Sequence, residues 1–346
     1  MKKVSLILVL TLIALLSISQ LGLAVEVMKI GYAETADPYG HPTSAGLHVF
    51  KTYVEKLTGG ELKVMLYPAG QLGDAKSLLE QVKRGLIQSC ASIPSGMIAS
   101  RYYNNFNIFD IPYLFRSHAV AWNALNPRTD FFQDISEDMA AKVGLRPLGF
   151  FIEGQRHFTN NVREIKRPDD LKGLKIRTME VPAHMKMVEA LGASPTPVSW
   201  LELYSALQTG VVDGQENPIG NILYLKGHEV QKYLTLDGHV TLLNTWVVNE
   251  KWFNKLTPAI KAAIFEAAQV TTLTNRGMAE LKDTVGLTEL KEKGMQVYSP
   301  TIEELNLFKE VTQQAVLPYI RENIDDTIWI ERIQGAVAAA EKELMP

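Results

Sequence analysis

Between residues 27 and 86 the chain alternates β-rich runs with amphipathic ones, and that alternation decides the class of fold. Val27 to Tyr32 reads as a strand, and Pro38, Gly40 and Pro42 place a loop after it. His48 to Leu57 has helical character, Gly59-Gly60 marks a turn, and Glu61 to Tyr67 reads as a second strand. Asp74 suits the N-cap of a helix carrying Leu78, Leu79, Val82 and Leu86 on one face, because its short carboxylate can accept from the free N–H groups of a first turn. Strands that alternate with helices at this spacing belong to parallel-sheet α/β units. The pattern returns with predicted strands at Leu148 to Ile152 and Leu174 to Thr178, and helices at Ala183 to Leu191 and Glu202 to Gln208. A brief strand is expected at Val211-Val212-Asp213 and a long one at His239 to Val248.

The last hundred residues change character. Thr257-Pro258 is a strong helix start, with Thr as cap and Pro at the first helical position, and no proline follows until well past Leu290. Thr301 to Glu304 has the T-x-x-E form of a capping box and opens another helix. With 346 residues, two domains are the expectation. No internal repeat and no low-complexity segment interrupts them.

Several classes are excluded. Lys plus Arg is 35 and Asp plus Glu is 38, a net charge of −3, which lacks the basic excess of a nucleic-acid binder. The single cysteine, Cys90, allows neither an internal disulfide nor a thiolate metal cluster. The seven histidines show no metal-ligand spacing, and no P-loop, G-x-G-x-x-G, H-E-x-x-H or G-x-S-x-G motif occurs. No enzyme, no metal and no cofactor is expected. Residues 1–24 read as a secretory signal peptide: Lys2 and Lys3, the apolar run Val4 to Leu16, a polar stretch, and small residues at Gly22 and Ala24. The run is short for a membrane span, which needs roughly 20 apolar residues. An exported protein is expected.

Three stretches are distinctive: Lys175-Ile176-Arg177, Gly192-Ala193-Ser194-Pro195-Thr196-Pro197, and Tyr204-Ser205-Ala206-Leu207-Gln208-Thr209-Gly210-Val211-Val212-Asp213-Gly214-Gln215-Glu216-Asn217-Pro218. With Tyr67 to Asp74, Ile111 to Phe115 and Gly154 to Asn160, they run in order along most of the chain after the leader. This set closely resembles the DctP-family substrate-binding proteins of tripartite ATP-independent periplasmic (TRAP) transporters. The resemblance implies an α/β, two-lobed periplasmic binding protein fold with a ligand cleft between the lobes. On this sequence, 25–150 would form one lobe, rejoined by part of 240–346. Residues 151–239 would form the other, and 240–346 would supply a crossing strand, a long helix spanning both lobes, and C-terminal helices. It also implies a periplasmic receptor that hands an organic acid to membrane permease subunits. A monomer is expected.

A carboxylate taken from water needs fixed donors, and the planar fork of an arginine gives two parallel charge-assisted bonds. Arg177 ends a predicted strand, where α/β sheets place their crevices, and it matches the family arginine that clamps the ligand carboxylate. Arg156 matches a second ligand-facing arginine, the alternative being a pairing with Glu153 or another acid. Asn217 matches a ligand-binding asparagine, with Pro218 fixing the backbone beside it. Glu34 and His41 fall in a loop that lines the cleft in relatives, and Ser92 and Ser95 fall where a polar residue varies. Trp200 and Trp246 would wall the pocket or pack in the core, and Asn244 would make a hinge hydrogen bond or touch the ligand. The two arginines with Glu34, His41 and Asn217 suit a hydroxylated acid such as a uronate, with C4-dicarboxylates and 2-oxo acids as further candidates. The reading from another class is a ligand-binding sensor subunit or a periplasmic enzyme on the same fold.

Overall fold

The computed structural model describes residues 25–344. The leader read at residues 1–24 lies outside the described residues. In chain order the elements are β1 (Glu26–Gly31), α1 (Pro42–Leu57), β2 (Leu62–Tyr67), α2 (Ala75–Lys83), β3 (Ser89–Pro94) and α3 (Ser95–Arg101). After a 3-10 turn come α4 (His118–Leu125), α5 (Asp130–Val143) and β4 (Leu145–Asn160). Then follow β5 (Lys175–Thr178), α6 (Pro182–Ala190), β6 (Ser194–Pro197), α7 (Leu203–Gln208), β7 (Gly214–Asn217) and α8 (Ile219–Tyr224). The chain closes with β8 (Tyr233–Asn249), α9 (Glu250–Lys255), α10 (Pro258–Glu292), β9 (Gln296–Tyr298), α11 (Ile302–Glu322) and α12 (Ile328–Leu344).

The strands form one mixed sheet in the order β2-β1-β3-β8-β4-β7-β5-β6, with β9 added beside β8. β1 pairs parallel with β2 and β3, and β5 pairs parallel with β6 and β7. The antiparallel ribbon of β4 and β8 joins these halves, running from Leu145 opposite Asn249 to Asn160 opposite Tyr233. Side chains alternate across it: Phe150 enters a core with Phe106, Phe109 and Phe132, while Phe151 enters another with Phe50 and Trp246 on the opposite face. Both faces of the ribbon are therefore buried, which is why its sequence is apolar without clean alternation.

The helix starts follow their caps. Asp74 accepts from the Ser77 N–H at 2.9 Å, Thr257 caps α10 with Pro258 behind it, and Thr301 and Glu304 complete a reciprocal capping box. α1 begins at Pro42 rather than at His48, because the His41 ring caps it: Nδ1 accepts from the Thr43 N–H at 3.2 Å. The strand expected at Val211 to Asp213 lies at Gly214–Asn217 instead. Val211 and Val212 still belong to the turn leaving α7, their N–H groups bonded back to Ala206, and Asp213 accepts from the Lys175 N–H. α10 is about 50 Å long at 1.5 Å per residue and packs against α1, β4 and α8. Among the described residues, no helix is long and apolar enough to cross a membrane.

β7 fits between β4 and β5 because it begins on a glycine. A Cβ on Gly214 would meet the Thr159 carbonyl oxygen, with Asn160 Cβ at 2.8 Å. Gly214→Ala should therefore cost about 2 kcal/mol of stability, seen as a lower urea midpoint at an unchanged slope. An unaltered midpoint would show that β7 is not held tightly against β4.

Candidate functional site

Parallel strands open a crevice beyond their C-terminal ends, where the chain leaves the sheet in either direction. Here both parallel halves aim those ends at one place. Ala33 and Glu34 follow β1, Ser92 and Pro94 end β3, Arg177, Met179 and Glu180 end or follow β5, Val198 to Leu201 follow β6, and Asn217 ends β7. With Glu153, Arg156, Leu242 and Asn244 from the ribbon, they line a single cleft.

One side is cationic. Arg156 is fully buried and grips Glu216 side-on: Nε and Nη2 donate to the two carboxylate oxygens and Nη2 also to the Glu216 carbonyl. Its Nη1 has no partner among the described residues. Behind it runs a chain of alternating charge. His239 Nε2 faces Glu216 at 3.3 Å and its Nδ1 faces Asp237 at 2.6 Å. Burial works against the imidazolium, but the Asp237 and Glu216 carboxylates outweigh it and raise His239 to about 9. Burial also opposes the Glu216 carboxylate, yet Arg156 and His239 hold it well below the usual range. Asp237, His239, Glu216 and Arg156 thus cancel in pairs.

Arg177 stands outside that cancellation. It is 2% exposed, its Nε donates to the Val198 carbonyl at 2.8 Å, and among the described residues no carboxylate lies within ion-pair distance of it. Burial and then the neighbouring Arg156 push its guanidinium down to about 10, with Glu216 offsetting part of this. It remains a cation at neutral pH, held where an anion would relieve it. Asn217 beside it donates through Nδ2 to Gln215 Oε1 at 2.5 Å.

The other side is acidic. Ser92 donates to Glu34 Oε1 at 2.7 Å, while Glu153 accepts from Thr43 Oγ1 at 2.9 Å and from Asn221 Nδ2 at 3.1 Å. Burial, with the Glu153 charge adding to it, pushes the Glu34 carboxyl up to about 8. Trp200 lies at the cleft edge, near parallel to Tyr224 with ring centroids 6.2 Å apart. Among the described residues, no three His, Cys, Asp or Glu side chains are grouped to hold a metal ion.

The structure brings Arg177, Arg156, Asn217, Glu34, Ser92, Trp200 and Asn244 together on this lining. His41 is not among them, because its Nδ1 is spent on the α1 cap and its Nε2 faces Glu153 at 3.8 Å from behind. Arg156 pairs with Glu216 rather than Glu153. Ser95 is turned away onto Leu243 and Thr245, and Trp246 is core, its Nε1 donating to Ser89 at 2.9 Å. Sequence reasoning missed Glu153, Asn221 and the cleft position of Asp74. Asp74 was readable only as a cap, and nothing in the spacing marks the other two.

A model of the bacterial extracellular solute-binding protein family 7, DctP, matches residues 32–323. The chain belongs to this family. The 2,3-diketo-L-gulonate-binding periplasmic protein YiaO of Escherichia coli is 31% identical over 290 residues, 82% of this chain and 84% of YiaO. Among solved structures, the sugar acid binding protein DctPAm from Advenella mimigardefordensis, in complex with galactonate, superposes with a TM-score of 0.83. It is 30% identical, over 91% of this chain and 98% of that one. A TRAP periplasmic solute binding protein from Polaromonas, bound to D-erythronate, gives a TM-score of 0.81 at 34% identity, over 90% and 98%. The DctP-family chain thus has the mixed α/β fold of TRAP solute-binding proteins, which serve transport.

The raised Glu34 carboxyl links stability to pH. Folded protein keeps a proton that the unfolded chain releases above about 4.5, so stability present below that pH is lost as pH rises toward 8. Glu34→Gln removes this loss. Its melting temperature should match wild type near pH 4.5 and exceed it by about 2 °C or more at pH 8, by calorimetry without ligand. A constant offset at every pH would refute the assignment.

Proposed function

We propose that this chain is an extracytoplasmic solute receptor that clamps the carboxylate of an organic acid between Arg177 and Arg156 and delivers it to a TRAP permease. The observation that carries the reading is Arg177, a buried cation on the cleft wall with no carboxylate partner among the described residues. Arg156 Nη1 and the Asn217 amide supply further donors on the same wall. The ligand we favour is a sugar acid. Galactonate, D-erythronate and 2,3-diketo-L-gulonate in the names of the relatives support that class. C4-dicarboxylates and 2-oxo acids are the competing ligands, and a sensor subunit is the competing role. Family membership in transport favours a receptor over an enzyme.

In this reading the leader at 1–24 directs export to the periplasm and the receptor acts as a monomer. Residues 25–150, with part of 240–346, close against 151–239 around the ligand, and the β4–β8 ribbon serves as the hinge.

Titration calorimetry with galactonate, glucuronate and succinate tests the site. Arg177→Ala should weaken binding of the preferred acid about tenfold or more, the worth of a charge-assisted hydrogen bond or two. Arg177→Lys should also weaken it, because a point charge does not reproduce the fork. Wild-type affinity in the alanine variant would remove Arg177 from the clamp, and equal affinity in the lysine variant would show that charge alone suffices.

A further inference from the structure

The wall facing the arginines has a feature that binding a carboxylate does not explain. β3 and β8 fall out of register between Cys90 and Ile93, and inside that bulge Ser92 sits at φ +60°. A residue with a Cβ is strained in that region, where glycine is relaxed, and bulges re-aim side chains beside functional sites. The bulge sets Ser92 on the cleft lining, and its hydroxyl is fixed from two sides. It donates to Glu34 Oε1 at 2.7 Å and accepts from Asn244 Nδ2 at 3.2 Å. A hydroxyl has one proton to give. With that proton on Glu34, Asn244 must present its N–H to Ser92, which turns its Oδ1 away. Asn244 Oδ1 and Glu34 Oε2 are both buried, both without a partner among the described residues, and both belong to residues of the cleft lining.

We propose that the Asn244–Ser92–Glu34 relay is the specificity device of this receptor, reading alcohol hydroxyls at the end of the ligand remote from its carboxylate and so selecting polyhydroxy monocarboxylates over dicarboxylates. The inference rests on the organic-acid reading given above. Burial keeps a proton on Glu34 up to about pH 8, so the relay ends in one donor beside one acceptor. An alcohol matches that pair, since its oxygen donates and accepts. A second carboxylate offers acceptors only, leaves Asn244 Oδ1 unsatisfied, and brings its charge beside Glu153. A strained serine in place of a relaxed glycine is then explained by what its hydroxyl holds in position.

Calorimetry at pH 7 with galactonate and succinate, on wild type, Ser92→Gly and Ser92→Ala, tests this, with ligand-free melting curves as the fold control. Wild type should bind galactonate at least about tenfold more tightly than succinate. Ser92→Gly relieves the backbone and should melt no lower than wild type, yet lose about tenfold in galactonate affinity with succinate affinity unchanged. Ser92→Ala keeps the Cβ and should show the same selective loss, which assigns the effect to the hydroxyl. Retained galactonate affinity in both variants, or an equal loss for both acids, overturns the relay. A wild type that prefers succinate overturns the relay but leaves the organic-acid receptor standing. A wild type that binds neither acid overturns the relay, and the organic-acid reading falls with it if glucuronate and pyruvate also fail to bind.

Discussion

Two guanidinium groups buried on one wall repel each other, and the protein answers the two charges differently. Arg156 is neutralised from behind by Glu216, which His239 and Asp237 support in turn. Arg177 receives a backbone carbonyl and, among the described residues, no carboxylate at ion-pair distance, with Glu216 offsetting only part of its burden. Removing a cation from water costs several kcal/mol unless something pairs with it. The fold therefore holds Arg177 as a buried cation without an ion-pair partner among the described residues, at the point where the strands end. Everything around it serves to hold that charge still: the Val198 carbonyl after β6 fixes its Nε, and the paired Arg156 closes off one side.

The convergence of strand ends gives the site its second property, an acidic wall opposite the cationic one. Glu34 comes from the first half of the sheet and Arg177 from the second, while Glu153 and Arg156 both come from β4, Glu153 inside the register shift between Ile152 and Gln155 and Arg156 just beyond it. Gly154 at φ +121° makes that shift, and a Cβ there would run into the Asp283 carboxylate of α10. An acid and a cation three residues apart on one strand thus both line the same cleft.

Much of this was legible in the sequence, and what was not has physical reasons. Alternating apolar runs and cap chemistry located most of the strands and helices, since Asp74, Thr257 and Thr301 act through neighbours only three residues away. The strand at Val211 to Asp213 was misplaced because valines signal β structure locally, whereas the sheet takes up Gly214, which alone tolerates the close approach of Thr159. The arginines were found through the family resemblance; their different pairing was not, because Glu216 is 60 residues from Arg156 in sequence. Ser92 looked like any polar residue. Its importance lies in a backbone angle set by the register of β3 on β8, and register is a property of two strands that neither one carries alone.

The β4–β8 ribbon has a mechanical consequence. The halves of the sheet are joined by a long ladder, broken only at register shifts and buried on both faces, rather than by a pliable tether. Such a beam does not pivot freely. Any change in the angle between the halves must be taken up as torsion, concentrated at the register shifts where the ladder is already interrupted, and it meets a restoring torque that grows with displacement. A joint so built would act as a torsion spring, stiffened further by α10, which packs on α1 of one half and α8 of the other.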